Sequence, residues 1–283
     1  MKRVIVNGDD FGLAVPVNEA IIEAHENGIL TTASLMVSAD AAADAVERAK
    51  RTPTLKVGLH VVLVEGHSVL APEAIPDLAD SRGRFLDRPA RAGFRYALKP
   101  RIRSQLEAEI RAQFEAFRQT GLPLDHADAH GHLHLHPRIF NLIVKVGREY
   151  GLRAVRVPNE PPLPAWRASG TSLPARWAVW ASLLPLVGYM KSRLRRERML
   201  YNDYILGLFD TGAMTEGRVH RLLEHLPDGT TEIHFHPSTR RCPEIDRTMP
   251  TYLNVEEYHA LQSKTLREAF EEAGIRRITY SDL

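Results

Sequence analysis

Short β-branched runs alternate along the chain with stretches whose apolar residues recur at helical spacing. Runs at 3–7, 33–37, 56–63, 125–130, 154–158, 202–208, 231–236 and 277–280 predict strands. Between the first two, Pro16 occupies a first-turn position, Ala20, Ile21 and Ala24 line one face, and Gly28 closes the helix. A helix over about 101–120 carries Ile102, Leu106, Ile110, Phe114 and Phe117 at helical spacing and stops at Gly121. Pro137 opens another, with Ile139, Ile143 and Val146 on one stripe and Gly151 at its end. A final helix is expected over about 255–273, before Gly274. Alternation on this scale implies a parallel sheet, either a barrel of seven or eight strands or an open doubly wound sheet.

The polar positions favour the barrel. Asp9 and Asp10 follow the first predicted strand, His60 lies in the third, His130 ends the fourth and His236 ends the seventh. Loops leaving the C-terminal ends of strands build the site in both folds. An open sheet brings two such positions together at its switch point, but hardly four.

Composition narrows the class. A chain of 283 residues fits one large α/β domain over 1–283 better than two small ones, with an apolar and basic excursion at about 164–200. At 44% hydrophobic and 25% charged, it has ample material for a core. A formal net charge of +2 gives no bulk attraction to nucleic acid. The single cysteine, Cys242, excludes an intrachain disulfide and any Cys-rich zinc motif. It is compatible with a reducing compartment. The apolar run before Gly8 is too short for a signal-peptide core, so a cytoplasmic location is expected.

The chemistry concentrates in a few segments. Residues 126–136 read HADAHGHLHLH and hold five of the thirteen histidines, far more than even spacing would place there. In a strand, His126, Asp128 and His130 would share one face, and His132, His134 and His136 continue into the turn before the Pro137 helix. Imidazole is the commonest protein metal ligand, and Ala129 and Gly131 leave room around it. Core or capping roles compete for His134 and His136. In VNGDDFG, Asp9 and Asp10 set two mutually repelling carboxylates side by side where an ordinary turn needs one. Next to a histidine cluster, one carboxylate can bind a metal while its neighbour acts as a general base. His60 lies in the apolar run KVGLHVVL, where a histidine is more often core, and its place near the strand end keeps a ligand role open. His236 shares a strand face with His234 in TEIHFHPS and reads equally as structural or catalytic.

Taken together, these motifs resemble the YdjC/ChbG-like carbohydrate deacetylases. The matching segments are VNGDDFG at 6–12, GLHVVL at 58–63, DHADAHGHLHLHP at 125–137, RAVRVPNE at 153–160 and EIHFHPS at 232–238. Within that family the chain looks most like the deacetylases associated with hopanoid lipid biosynthesis. The resemblance implies a distorted TIM-like (β/α) barrel and removal of the N-acetyl group from an acetamido sugar, here an N-acetylglucosaminyl headgroup on a hopanoid-type lipid. Position by position, it implies that Asp10, His60 and His130 bind a divalent metal and that Asp9 is the base, the order within the aspartate pair being open. It further implies that His236 is catalytic, with His132 and His134 as alternatives, and that Arg156 and Glu160 line the sugar site. Two imidazoles and a carboxylate suit zinc, whereas the resemblance suggests magnesium. Ala129 stands where a serine is common, and Ser238 where glycine often occurs, which affects fine positioning.

One segment stands apart in composition. Residues 177–190, WAVWASLLPLVGYM, carry no charge, and KSRLRRERM follows with five basic residues against one acidic. The run is too short to span a bilayer. It either packs on the barrel or lies at a membrane surface, its tryptophans in the headgroup boundary and its arginines on anionic lipid. The second reading suits a lipid-linked sugar presented at the inner face of the cytoplasmic membrane, with peripheral contact through 177–198. Competing functions are a metal-dependent phosphoesterase or amidohydrolase on a similar barrel, and a non-catalytic lipid-glycan-binding protein.

Overall fold

The computed structural model describes residues 2–87, 92–93, 96 and 100–283. Seven strands form one parallel sheet among them: β1 (Lys2–Phe11), β2 (Thr32–Leu35), β3 (Lys56–Val61), β4 (Leu124–Ala129), β5 (Tyr204–Leu206), β6 (Gly229–Phe235) and β7 (Arg276–Ile278). The order is β4-β3-β2-β1-β6-β5. β7 pairs with the first half of β1 through Arg3–Ile5, and β2 takes over from Asn7 onward. Beyond β4 the curl continues through isolated parallel bridges, Ala127 to Val155 and Ala154 to Leu200, and through the Ile205 amide, which donates to the Asn159 carbonyl at 3.1 Å. The result is a distorted TIM-like α/β barrel. The strand expected over 154–158 is thus reduced to bridges. Its carbonyls and amides bond single neighbours, with Asn202 taking over the main chain of Val157.

Helices cover the sheet. They are α1 (Val15–Asn27), α2 (Ala42–Arg51), α3 (Pro100–Thr120), α4 (Pro137–Glu149), α5 (Pro162–Ser169), α6 (Leu173–Arg196), α7 (Glu216–Glu224), α8 (Pro243–Thr248), α9 (Asn254–Gln262) and α10 (Lys264–Glu272). The expected apolar stripes face inward: Ile102, Leu106, Ile110, Phe114 and Phe117 of α3 and Ile139, Ile143 and Val146 of α4 are all buried. They pack with the Val and Ile side chains of β1, β3 and β6 in one large core. α1 ends at Gly28, a position where a β-carbon would come 2.2 Å from the Leu261 carbonyl oxygen, so only glycine fits the close approach. The single helix expected over 255–273 is two. Ser263 leaves the helical conformation at φ −62°, ψ 125°, and its side chain accepts from the Leu266 amide at 3.1 Å, capping α10.

The apolar and basic stretch is α6, which continues through Pro185. Val187, Met190 and Leu194 pack it onto the core, and Arg176 forks onto Asp210 at 2.9 and 3.0 Å. Trp177, Val179, Leu184 and Tyr189 stay exposed. No described helix is long and apolar enough to cross a membrane.

Candidate active site

At the C-terminal ends of the strands lies a cleft of about 210 Å³ walled by Asp9, Asp10, His60, Glu65, His130, His132, His236 and Tyr252, among others. Period-two alternation would send neighbouring aspartates to opposite faces. Both reach the cleft because Asp10 adopts φ 61° where the β1–β2 register is irregular, between Gly8 and Phe11. The pair therefore lies inside β1 rather than after it. His130 is not the last residue of β4 but the first of the turn His130–Leu135, whose Gly131 and His132 are left-handed at φ 59° and 51°. That sharp turn aims His130 and His132 into the cleft while Leu133 and His134 fold back into the interior. Among the described residues, four non-glycine residues have positive φ, namely Asp10, Glu65, His132 and Arg198, and three of them line this cleft. Such strain persists where surrounding structure enforces it, and it concentrates at functional sites.

Asp10 is the centre of the geometry. Its Oδ1 lies 2.9 Å from His130 Nδ1 and 3.4 Å from His60 Nε2, and its buried Oδ2 has no protein partner among the described residues. The other nitrogen of each imidazole meets a further carboxylate. His60 Nδ1 is 2.8 Å from Asp128 Oδ1, and His130 Nε2 is 3.5 Å from Glu65 Oε2. Burial alone would suppress the cationic form of both histidines. The Asp128 and Asp10 charges outweigh it, raising His60 well above the usual imidazole range. For His130 the same burial is overcome by Asp10 and pushed up to about 9. For Asp10, burial is offset by His130 and His60, so its carboxyl stays far below the usual carboxylate range. The site is thus rich in negative charge and draws positive charge to itself.

Asp9 faces a different partner. Arg156, fully buried, donates to its two oxygens at 2.7 and 2.9 Å. Arg156 also donates to Glu232 at 2.6 Å and lies 2.5 Å from Asp128 Oδ2. Against the cost of burial, the guanidinium holds Asp9 well below the usual range and Asp128 at about 2. Asn7 bonds Asp9 at 2.6 Å, and Ser34 bonds Asp128 at 3.1 Å. On the cleft side, His236 Nε2 is 4.0 Å from Asp9 Oδ2, and its ring meets Tyr252 edge-on at 5.1 Å.

Among the described residues, three groupings could hold a metal, each with ligand atoms within 4.8 Å: Asp10–His60–His130, Asp9–His234–His236 and Asp9–His60–Asp128. In the last two the carboxylates are already engaged by Arg156. Of these carboxylates, Asp10 alone keeps a buried oxygen with no partner among the described residues, and both its imidazoles are backed by carboxylates, the usual arrangement around a ligating histidine. The donor set Asp10, His60 and His130 fits a divalent cation.

Not every expected site residue reaches the cleft. Arg156 sits behind Asp9 as a carboxylate clamp rather than on the sugar-facing wall. Glu160 is buried and accepts from the Gly207 and Phe209 amides at 3.2 and 2.6 Å, which fixes the loop after β5. Burial pushes its carboxyl up to about 8. His134 is buried with neither ring nitrogen bonded, and burial lowers it to about 4. His126 lies under β3, stacked on Tyr280 at 4.4 Å, where Gly58 makes room for it. Conversely, the sequence assigned no role to Glu65, Glu232 or Tyr252, and marked Asp128 only as sharing a strand face with His126 and His130.

The model of the family described as "YdjC-like protein" matches residues 3–272. The chain belongs to the YdjC-like family. Among its relatives, a carbohydrate deacetylase of Geobacillus stearothermophilus is 32% identical over 99% of this chain and 98% of its own length. One from Mus musculus is 30% identical, covering 99% of this chain and 94% of that one. One from Brevibacillus brevis reaches 41%, over 55% of this chain and 59% of its own length. The crystal structure of a candidate cellobiose-phosphate cleavage protein from Enterococcus faecalis V583 superposes with a TM-score of 0.74, at 24% identity, over 99% of this chain and 98% of that one. That likeness agrees with the fold.

Proposed function

We propose that this YdjC-like chain is a carbohydrate deacetylase, a metal-dependent hydrolase that removes the N-acetyl group of an acetamido sugar. The observation that carries the reading is the single cleft in which Asp10, His60 and His130 converge beside Asp9 and His236. The deacetylase activity of its full-length relatives supports the same class. A divalent cation, magnesium or zinc, held by Asp10, His60 and His130 would polarise the acetyl carbonyl and acidify a water molecule. Asp9, kept ionised by Arg156, accepts the proton of the attacking water. Arg156 fixes the carboxylate so that its reach toward the cleft does not vary. His236, at the rim beside Tyr252, delivers a proton to the departing sugar nitrogen. Buried His134 is too far inside for that task, and His132 is held neutral by burial, aided by the Arg156 charge.

The proposed substrate is lipid-linked, with an N-acetylglucosaminyl headgroup on a hopanoid-type lipid. Support comes from α6. Its exposed Trp177, Val179 and Leu184 precede the basic Lys191, Arg193, Arg195 and Arg196. Trp180 and Leu184 also approach Leu208, which lines the catalytic cleft. Trp177→Glu should weaken binding to anionic liposomes and leave deacetylation of a soluble acetamido sugar unchanged. Unaltered liposome binding removes the membrane part of the proposal.

The reaction is tested with metal-replete protein and a panel of N-acetylated oligosaccharides and glycolipids, following acetate release and the loss of one acetyl mass. Asp10→Ala and His130→Ala should abolish both. Variants that bind metal normally and still release acetate refute the assignment, and phosphate release from phosphorylated sugars without acetate would replace it with a phosphoesterase.

A further inference from the structure

Glu65 belongs to none of the recognised motif roles, yet, like Asp10, it is an acidic residue of the cleft wall held in the left-handed region. Its backbone stands at φ 54°, a region costly for any side chain but glycine, although Gly66 follows immediately. The conformation is enforced from both sides, the Glu65 amide donating to the Leu86 carbonyl and the Phe85 amide to the Gly66 carbonyl, both at 3.0 Å. The carboxylate lines the cleft with 29% of its side chain exposed and reaches to 3.5 Å from His130 Nε2.

The two histidines around Asp10 show the same pattern in opposite ring orientation. His60 turns Nε2 toward Asp10 and gives Nδ1 to Asp128. His130 turns Nδ1 toward Asp10 and leaves Nε2 facing the Glu65 carboxylate at 3.5 Å. We infer that Glu65 is the positioning carboxylate of His130, the counterpart of Asp128 for His60. It fixes the tautomer that carries hydrogen on Nε2, so that Nδ1 presents its lone pair to the cation. The inference rests on the metal-site reading above. A carboxylate in this position makes the imidazole more basic and holds its plane, and its loss ordinarily weakens metal affinity about 10–100-fold. The left-handed turn is the local means of aiming it, since an extended Glu65 would point its side chain elsewhere.

The test measures equilibrium affinity for Zn²⁺ and Mg²⁺ by chelator competition and calorimetry, beside thermal stability. Glu65→Gly removes the carboxylate and relieves the backbone strain, so it should melt higher than the parent while binding metal about 10–100-fold more weakly. Glu65→Gln keeps an acceptor for the Nε2 hydrogen without the charge and should fall between the two. A cobalt-substituted Glu65→Gln protein should show a shifted visible spectrum, which a purely structural role would not produce. Wild-type metal affinity in Glu65→Gly overturns the inference. Asp10→Asn run in parallel separates the two readings. If it also leaves affinity unchanged, the metal site itself is misplaced; if it alone abolishes binding, only the role of Glu65 is wrong.

Discussion

Replacing Arg156 with lysine tests how the barrel keeps three carboxylates buried next to one another. Arg156 donates to Asp9 at 2.7 and 2.9 Å and to Glu232 at 2.6 and 3.0 Å, and it lies 2.5 Å from Asp128, all without exposure to solvent. A lysine keeps the charge but concentrates its three donors on one nitrogen, so it cannot serve the three carboxylates as a planar fork does. Hydrogen bonds to charged groups contribute roughly 1.5–3 kcal/mol each, and losing about two of them with the charge retained gives a fall of about 3–6 kcal/mol. That is about a third of the ~5–15 kcal/mol that holds an ordinary domain folded. The pH dependence has a definite sign. Asp9 and Asp128 titrate lower in the folded protein than in the unfolded chain, Asp128 at about 2 against 3.8. Their contribution is therefore complete above the unfolded carboxylate range and is lost as pH falls toward 2. In Arg156→Lys both carboxyls move back toward their ordinary range, so the rise in stability from pH 2 to 4 should flatten. Guanidinium unfolding followed by circular dichroism at several pH values measures both effects, and acetate release should fall at least as far as Asp9 loses its fixed orientation. Stability within about 0.5 kcal/mol of the parent, the range of ordinary surface changes, together with an unchanged acid slope, would refute the clamp.

Other consequences follow from single contacts. Gly58→Ala places a β-carbon 2.4 Å from the His126 ring, which is stacked on Tyr280 and cannot retreat, so unfolding measurements should show a loss of about 1–3 kcal/mol. Glu160 holds its proton more tightly when folded, up to about 8, so it makes the protein less stable as pH rises from the ordinary carboxylate range through 8. Glu160→Gln cannot ionise, and its unfolding free energy should be flatter than the parent's over that window; identical slopes would contradict the burial argument. Ser263→Ala removes the cap on the Leu266 amide and should cost about 1 kcal/mol, with hydrogen exchange quickening first at the start of α10.

What could be read from the sequence follows from physical range. Strand periodicity is local, so the runs that became β1, β3, β4 and β6 were legible, and with them the strand ends that carry Asp9, Asp10, His60, His130 and His236. The β-branched run at 154–158 looked identical but lies where the barrel closes loosely, and no local pattern distinguishes a bridge from a strand. Ser263 was legible only as one residue inside a helical period, because its capping bond depends on a backbone turn. Arg156 misled for a different reason. A buried arginine that neutralises carboxylates from three other strands has the same letter as one that grips a sugar, and only the fold shows that Asp9, Asp128 and Glu232 surround it. Glu65 was hidden because its meaning lies in a positive φ and a distant histidine.

The proposed site divides its labour between two adjacent aspartates, and metal stoichiometry measured beside acetate release in Asp9→Asn and Asp10→Asn proteins tests that division most directly. The prediction is that Asp9→Asn binds metal as the parent does and releases no acetate, whereas Asp10→Asn loses the metal. Metal retained by Asp10→Asn and lost by Asp9→Asn would contradict it.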